Sequence, residues 1–359
     1  VTGLANTTTS DISAVRTWNT GSYLRAYVSG TTTVNILFGA STTSAFFMYQ
    51  VDDGLPSAPI ACLNNASYAV TLPDTGAHFV TFTLYSISQI TGRWAGTLAV
   101  TINGFQLGAG GVGAAATRGS RNLLIYGDSI TEGTQSHDGS DGITTGYAYL
   151  VGEAHRRQGG WEYGIKGAGF SGYAVTVPAA NGGQPPAWTS GSDANSSWNK
   201  IDGSGIAGAA LTTGTIGGSS ERFITQPNLI IDVWGTNDGL QSIAAATVQA
   251  TIIGFFQRLR VAAPNTVIVT VIPFGGYVRS TIQAAALAVA DPKLLLVDPQ
   301  TDARMTPTGY CGNLLTGATS GQNVHPWSLG SANLASLLLR LIDASYVPFA
   351  TARSYGSAS

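Results

Sequence analysis

Three short blocks of this 359-residue chain carry side chains that could do chemistry together. The first is Gly127-Asp128-Ser129, closing the apolar run Leu123 to Tyr126. A serine hydroxyl behind a glycine at a strand end stands unshielded where open α/β sheets take their ligands. Such a hydroxyl is a weak nucleophile until a base removes its proton. His325 is the best-placed base of the four histidines, in the loop Gly321-Gln322-Asn323-Val324-His325-Pro326-Trp327 just ahead of a helical segment. Pro326 stiffens that loop and disfavours helix at the histidine. His78 falls in a strand-like run and His155 in a helix-like one, so both read as structural. His137, in the loop after Ser129, is a candidate pocket-lining side chain. The third block, Gly235-Thr236-Asn237-Asp238, follows another apolar run. There the Asn237 amide can offer N–H donors to a developing oxyanion, each such donor being worth about 3–4 kcal/mol. The Ser129 N–H and a backbone N–H within 164–172, where glycine permits close approach, are the other candidate donors. Taken singly, these residues also have plain readings as turn formers, an Asx cap or a loop histidine.

Bringing distant blocks to one place requires a scaffold, and the pattern of apolar runs supplies it. From Arg121 onward strands alternate with helices. The strands fall at Leu123–Tyr126, Trp161–Ile165, Leu229–Trp234, Val267–Ile272 and Leu294–Val297, and helices at 147–157, 244–262 and 328–345. Such alternation predicts a three-layer α/β domain with a parallel sheet. Residues 1 to 117 show no helical period. Short runs rich in aromatic and β-branched residues, at 23–28, 33–38, 45–51, 68–72, 78–84 and 98–102, are separated by turn clusters. They predict an all-β sandwich or jelly roll. The Gly/Ala-rich segment 108–119 reads as a linker, dividing the chain into domains at 1–117 and 118–359. The second domain carries a long insertion at about 173–222, and loops of that length in compact domains are functional or disordered. Trp188 and Trp198 within it have two readings, a wall facing substrate or a pair of buried anchors.

Composition narrows the function classes. Hydrophobic residues make up 44% and charged residues 10%, with 46 glycines and a net charge of −2. That balance does not predict nucleic acid or an anionic membrane as partner. No apolar run approaches the roughly eighteen residues of a membrane span. Cys62 and Cys311 fit neither a metal-ligand nor a redox spacing and read as two buried free thiols. Histidines and acids form no cluster of metal-binding spacing, so neither a metal nor an organic cofactor is expected.

In their order along the chain, Gly127-Asp128-Ser129, a glycine after the second parallel strand, Gly235-Thr236-Asn237-Asp238 and His325-Pro326 resemble the sequence blocks of the SGNH, or GDSL-type, hydrolases. The match spans residues 121 to about 345, and its first and third blocks are the specific ones. The preceding half, with Asp52-Asp53-Gly54 after a strand and Gly76-Ala77-His78 opening the next, is similar to the jelly roll ahead of the hydrolase in carbohydrate esterase family 2. The resemblance implies Ser129 as nucleophile and His325 as base. It implies an oxyanion hole from the Ser129 N–H, the Gly167 N–H and the Asn237 side chain.

One departure stands out. These hydrolases usually carry an acid three residues before the histidine, where this chain has Gln322. Either Gln322 or a backbone carbonyl orients the ring in a Ser–His dyad, or Asp298 or Asp302 reaches it from the last strand, or the site is impaired. The activity implied is a serine ester hydrolase that removes acetyl or other short acyl groups through an acyl-enzyme. Its expected partner is an acetylated polysaccharide or oligosaccharide, or a small acyl ester, with Trp188, Trp198, Trp327 and His137 as candidate substrate contacts. The alternatives are an O-acyltransferase using the same site and an inert glycan-binding protein. Few charges and this substrate class point to a secreted or periplasmic protein.

Overall fold

The computed structural model describes residues 14–41, 44–88, 94, 98–138, 140–190, 195–201, 203, 210–215, 218–301 and 324–342. Nine antiparallel strands come first: β1 (Val15–Thr17), β2 (Tyr23–Ser29), β3 (Thr33–Phe38), β4 (Phe46–Val51), β5 (Ile60–Ala61), β6 (Ser67–Thr71), β7 (His78–Ser86), β8 (Val100–Leu107) and β9 (Val112–Ala115). They form two sheets, ordered β1-β8-β3-β6 and β5-β4-β7-β2-β9. Alternate residues of β3 (Val34, Ile36, Phe38) and a run in β7 that includes Val80, Phe82 and Leu84 fill the space between the sheets. This is the two-period pattern of a sandwich core. Cys62 is a free thiol buried in that core, and burial pushes it up to about 12. Cys311 lies outside the described residues. His78 is held by Asp52 at Nδ1 (2.8 Å) and by Asp74 at Nε2 (3.1 Å), a structural role as the sequence suggests.

The segment 108–119 is not simply a linker. Val112 to Ala115 pairs with β2 in the register Ala26↔Ala115 to Ser29↔Val112. Gly and Ala have low strand propensity, but an open sheet edge offers unpaired backbone groups that override it.

The second half begins with β10 (Arg121–Gly127), α1 (Ser129–Glu132), α2 (Tyr147–Arg157) and β11 (Trp161–Gly167). After the short hairpin β12 (Thr212–Thr213) and β13 (Arg222–Phe223) come β14 (Leu229–Val233), α3 (Thr236–Leu240), α4 (Ala245–Ala262), β15 (Val267–Val271), α5 (Arg279–Val289), β16 (Leu294–Val297) and α6 (Ser328–Leu341). The parallel sheet runs β11-β10-β14-β15-β16. Strand order therefore reverses at β10, and the crevice beyond its carboxyl end is the ligand position of an open α/β sheet. Helices α2 and α6 cover one face with α1 and the antiparallel half, while α4, α5 and the 173–222 segment cover the other. The fold is thus a three-layer α/β domain preceded by an antiparallel sandwich.

Candidate active site

The Gly127-Asp128-Ser129 turn is shaped by contacts on all sides. A Cβ at Gly127 would lie 1.8 Å from Thr131 Oγ1 and 2.9 Å from the Val233 carbonyl, so only glycine fits there. Asp128 caps the helix that follows, its Oδ1 accepting from the Ile130 N–H at 3.0 Å. Burial pushes its carboxyl up to about 7. Ser129 is the first residue of α1, so its N–H has no intrahelical partner.

His325 comes to Ser129 from the opposite end of the domain, its Nε2 lying 2.7 Å from Ser129 Oγ. Burial lowers the imidazole to about 4, opposed by the negative charge of Asp141. The ring is therefore neutral at neutral pH, with Nε2 free to accept the serine proton. Its Nδ1 is buried and has no hydrogen-bond partner among the described residues. Gln322 and Asp302 lie outside the described residues. Asp298 is engaged elsewhere, in an ion pair with Arg279 and a hydrogen bond from the Gln300 N–H.

Asn237 is the second residue of α3, just past the end of β14. Its Nδ2 donates to the Ser171 carbonyl at 2.8 Å, which leaves the second amide N–H for a ligand. Ser171 is fixed in turn: its Oγ donates to the Ala168 carbonyl (2.6 Å) and accepts from Trp234 Nε1 (3.2 Å). Asp238 accepts from the N–H groups of Tyr173, Ala174 and Val175 at 2.8, 2.7 and 3.1 Å, pinning the start of the insertion. Below it, buried Asp232 is held by Tyr173 and Thr270, and burial pushes it to about 7.

Among the glycines of 164–172, three have distinct surroundings. Gly167 packs against the backbone of α1, where a Cβ would meet the Glu132 nitrogen at 2.6 Å. The Ala168 N–H donates to the Gly127 carbonyl, so strand parity turns the Gly167 N–H to the outer edge of β11. Gly169 gives its N–H to the Glu132 carboxylate (2.8 Å). The N–H of buried Gly172 belongs to the same trans peptide as the Ser171 carbonyl that Asn237 holds, so it points away from the Asn237 amide.

The candidate substrate contacts separate. Trp198 is fully buried in the core between the sheet and α4, edge-on to Phe223, and its carbonyl accepts from Tyr126. It is an anchor and not a wall of the crevice, which corrects the substrate-contact reading. An indole needs that much apolar surface to offset the cost of ordering a Gly- and Ser-rich segment. Trp188 lies on Gly254 at the middle of α4, with the Arg258 guanidinium 5.8 Å from its ring. Trp327 immediately precedes α6, two residues from His325. His137 is exposed on the loop after α1, and its backbone pairs with Ser140.

No family model matches this chain, and neither does any curated relative. Solved structures do match it. A family two carbohydrate esterase from Clostridium thermocellum, an active-site mutant in complex with a cello-oligosaccharide, superposes with a TM-score of 0.67 at 20% identity, covering 94% of this chain and 96% of the other. A family two carbohydrate esterase from Cellvibrio japonicus gives 0.65 at 19% identity, covering 93% and 92%. The salicylyl-acyltransferase SsfX3 of a tetracycline biosynthetic pathway gives 0.58 at 15% identity, covering 89% and 80%. The chain has the two-domain SGNH fold. In particular, it has the layout of the family 2 carbohydrate esterases, antiparallel half included.

Proposed function

We propose that this protein is a serine ester hydrolase that removes acetyl or other short acyl groups from O-acylated carbohydrate. The observation that carries the reading is the 2.7 Å contact between Ser129 Oγ and His325 Nε2 at the carboxyl end of β10. A neutral imidazole at that distance can take the hydroxyl proton as Oγ attacks the ester carbonyl. The oxyanion then forms beside the Ser129 N–H, the free Asn237 amide N–H and a backbone N–H of the 167–172 segment. Protonated His325 returns the proton to the departing sugar oxygen, and water attacks the acyl-serine with the same base. Nothing in this sequence of steps calls on a metal or cofactor.

The carbohydrate part of the proposal rests on the shared layout with esterases crystallised with cello-oligosaccharide. Acyl transfer to an acceptor is the second reading, favoured by the shared fold with an acyltransferase. A panel of acetylated glycans and p-nitrophenyl esters of rising chain length tests both. Ser129→Ala should abolish acetate and p-nitrophenol release, and near-normal turnover in that variant refutes the proposal. Product acylation outpacing hydrolysis when an acceptor sugar is added selects transfer.

A further inference from the structure

The loop from Gly133 to Gly142, which follows the nucleophile's helix, is bonded to itself at several of its described residues. Gly142 N–H donates to the Gly133 carbonyl (3.1 Å), and His137 and Ser140 exchange two backbone bonds of 3.0 Å. The Gln135 N–H donates to Asp141 Oδ1 at 3.0 Å, and Ser136 Oγ donates to the Gly133 carbonyl at 2.9 Å. Gln135 and Asp138 both take left-handed backbone (φ 54° and 49°), which turns the loop tip sharply. The exposed tip reaches across to α6. Asp138 Oδ1 accepts from Ser328 Oγ at 2.5 Å and lies 3.4 Å from the Ser328 nitrogen. Ser328 opens α6 three residues after His325, and the residue before it, Trp327, makes no side-chain cap. A carboxylate from the nucleophile's loop thus caps the helix that carries the histidine's turn.

We propose that Asp138 is a positioning residue: by clamping Ser328 it holds the turn that carries His325 against Ser129, doing mechanically what a triad acid does by direct contact. This inference rests on the Ser129–His325 reading of the site. A triad carboxylate orients the imidazole and steadies the imidazolium. Among the described residues nothing touches His325 Nδ1, and the bond to Ser328 fixes the backbone that carries the ring. The clamp joins the two elements whose separation sets the 2.7 Å contact. Charge is supplied from the same loop. The carboxyl and imidazole groups on the elements around the ring are Asp128 between β10 and α1, Glu132 on α1, His137, Asp138 and Asp141 on the loop, and Asp238 on α3, with none in the first three turns of α6. Among them, Asp141 is the one whose charge raises the proton affinity of the imidazole.

The test compares Asp138→Ala, Asp138→Asn, Ser328→Ala and Asp141→Asn. Read-outs are kcat and KM on p-nitrophenyl acetate, the rate of Ser129 labelling by diethyl p-nitrophenyl phosphate, the acid limb of kcat/KM and the melting temperature. Asp138→Ala should lower kcat and the labelling rate about 10- to 100-fold with little change in KM, the scale of a displaced catalytic group. Its acid limb should move up toward the ordinary histidine range, because a loosened ring is less desolvated. Asp138→Asn keeps an acceptor for Ser328 and should recover most of kcat, while Ser328→Ala should resemble Asp138→Ala. Asp141→Asn should move the acid limb the opposite way, to lower pH. Asp138→Ala that labels at the normal rate with an unmoved limb overturns the inference, and so does one that only melts earlier. Absence of labelling in the unsubstituted protein removes the reading of the site itself, and the inference with it.

Discussion

A histidine that acts as base, the role proposed for His325, is usually matched to the working pH, and this imidazole is displaced from that match. Burial lowers it to about 4, so its lone pair is available across the whole neutral range. The cost lies in the transition state, where a desolvated imidazolium forms with no carboxylate on Nδ1 among the described residues. Activity that needs the neutral form is lost as pH falls through the histidine's own pKa. The acid limb of kcat/KM should therefore centre near pH 4, well below an unperturbed histidine. A rate profile on p-nitrophenyl acetate checks this, and a limb centred near pH 6.5 contradicts it. Buried Asp128 and Asp232, each pushed to about 7, sit deeper and make their bonds to Ile130 and to Tyr173 and Thr270.

At the scale of elements, the site is the meeting of three strand ends, those of β10, β11 and β14, and the loops that follow them. The ends of β10 and β11 lie side by side, Gly127 opposite Gly167, and α1 fits over both because neither has a side chain in the way. The Gly- and Ser-rich segment after β11 has little surface of its own to bury. It is held by the three N–H bonds to Asp238 and by a few large side chains, Trp198 foremost. Trp198→Ala should cost about 3–5 kcal/mol of stability, the range for emptying a large aromatic site. Denaturant titration measures that loss. A raised KM without it would restore the reading of this indole as a substrate contact.

At the scale of the whole molecule, the two halves share their cores. Tyr23, Met48 and Tyr85 of the sandwich pack with Tyr147, Tyr163 and Ile143, and Ala168 joins the sandwich core from the other side. Tyr23 donates to Glu162, whose other oxygen accepts from the Gly119 N–H at 2.9 Å. Thr20 Oγ1 donates to the Glu132 carbonyl at 2.8 Å, bracing the end of the nucleophile's helix. Between the halves, buried Lys166 lies 5.9 Å from the Trp94 ring and 5.8 Å from the Trp234 ring, and burial lowers its amine to about 7. An interface this apolar couples the halves, so thermal unfolding should give one calorimetric transition rather than two. Two resolved transitions would show the sandwich to be an independent unit.

Local signals determined much of this protein. Periodicity changes from two to alternating strand and helix near residue 120, because antiparallel strands bury one face while parallel strands bury both. Each parallel strand was legible for that reason. The Gly-Asp-Ser and Gly-Thr-Asn-Asp turns were legible because strand-end chemistry is written in adjacent residues. Tertiary structure decided what depends on residues far apart in sequence. The Gly/Ala run at 112–115 becomes a strand only because β2 offers an edge, and Trp198 is an anchor only because α4 lies over it. The same holds for the carboxylates near His325. Position along the chain suggested Asp298 and Asp302, yet Asp298 is taken by Arg279, while Asp138, some 190 residues away, accepts from Ser328 at the start of α6 and the charge of Asp141 bears on His325. A contact between groups so distant depends on the packing of every element between them, and no local pattern encodes it.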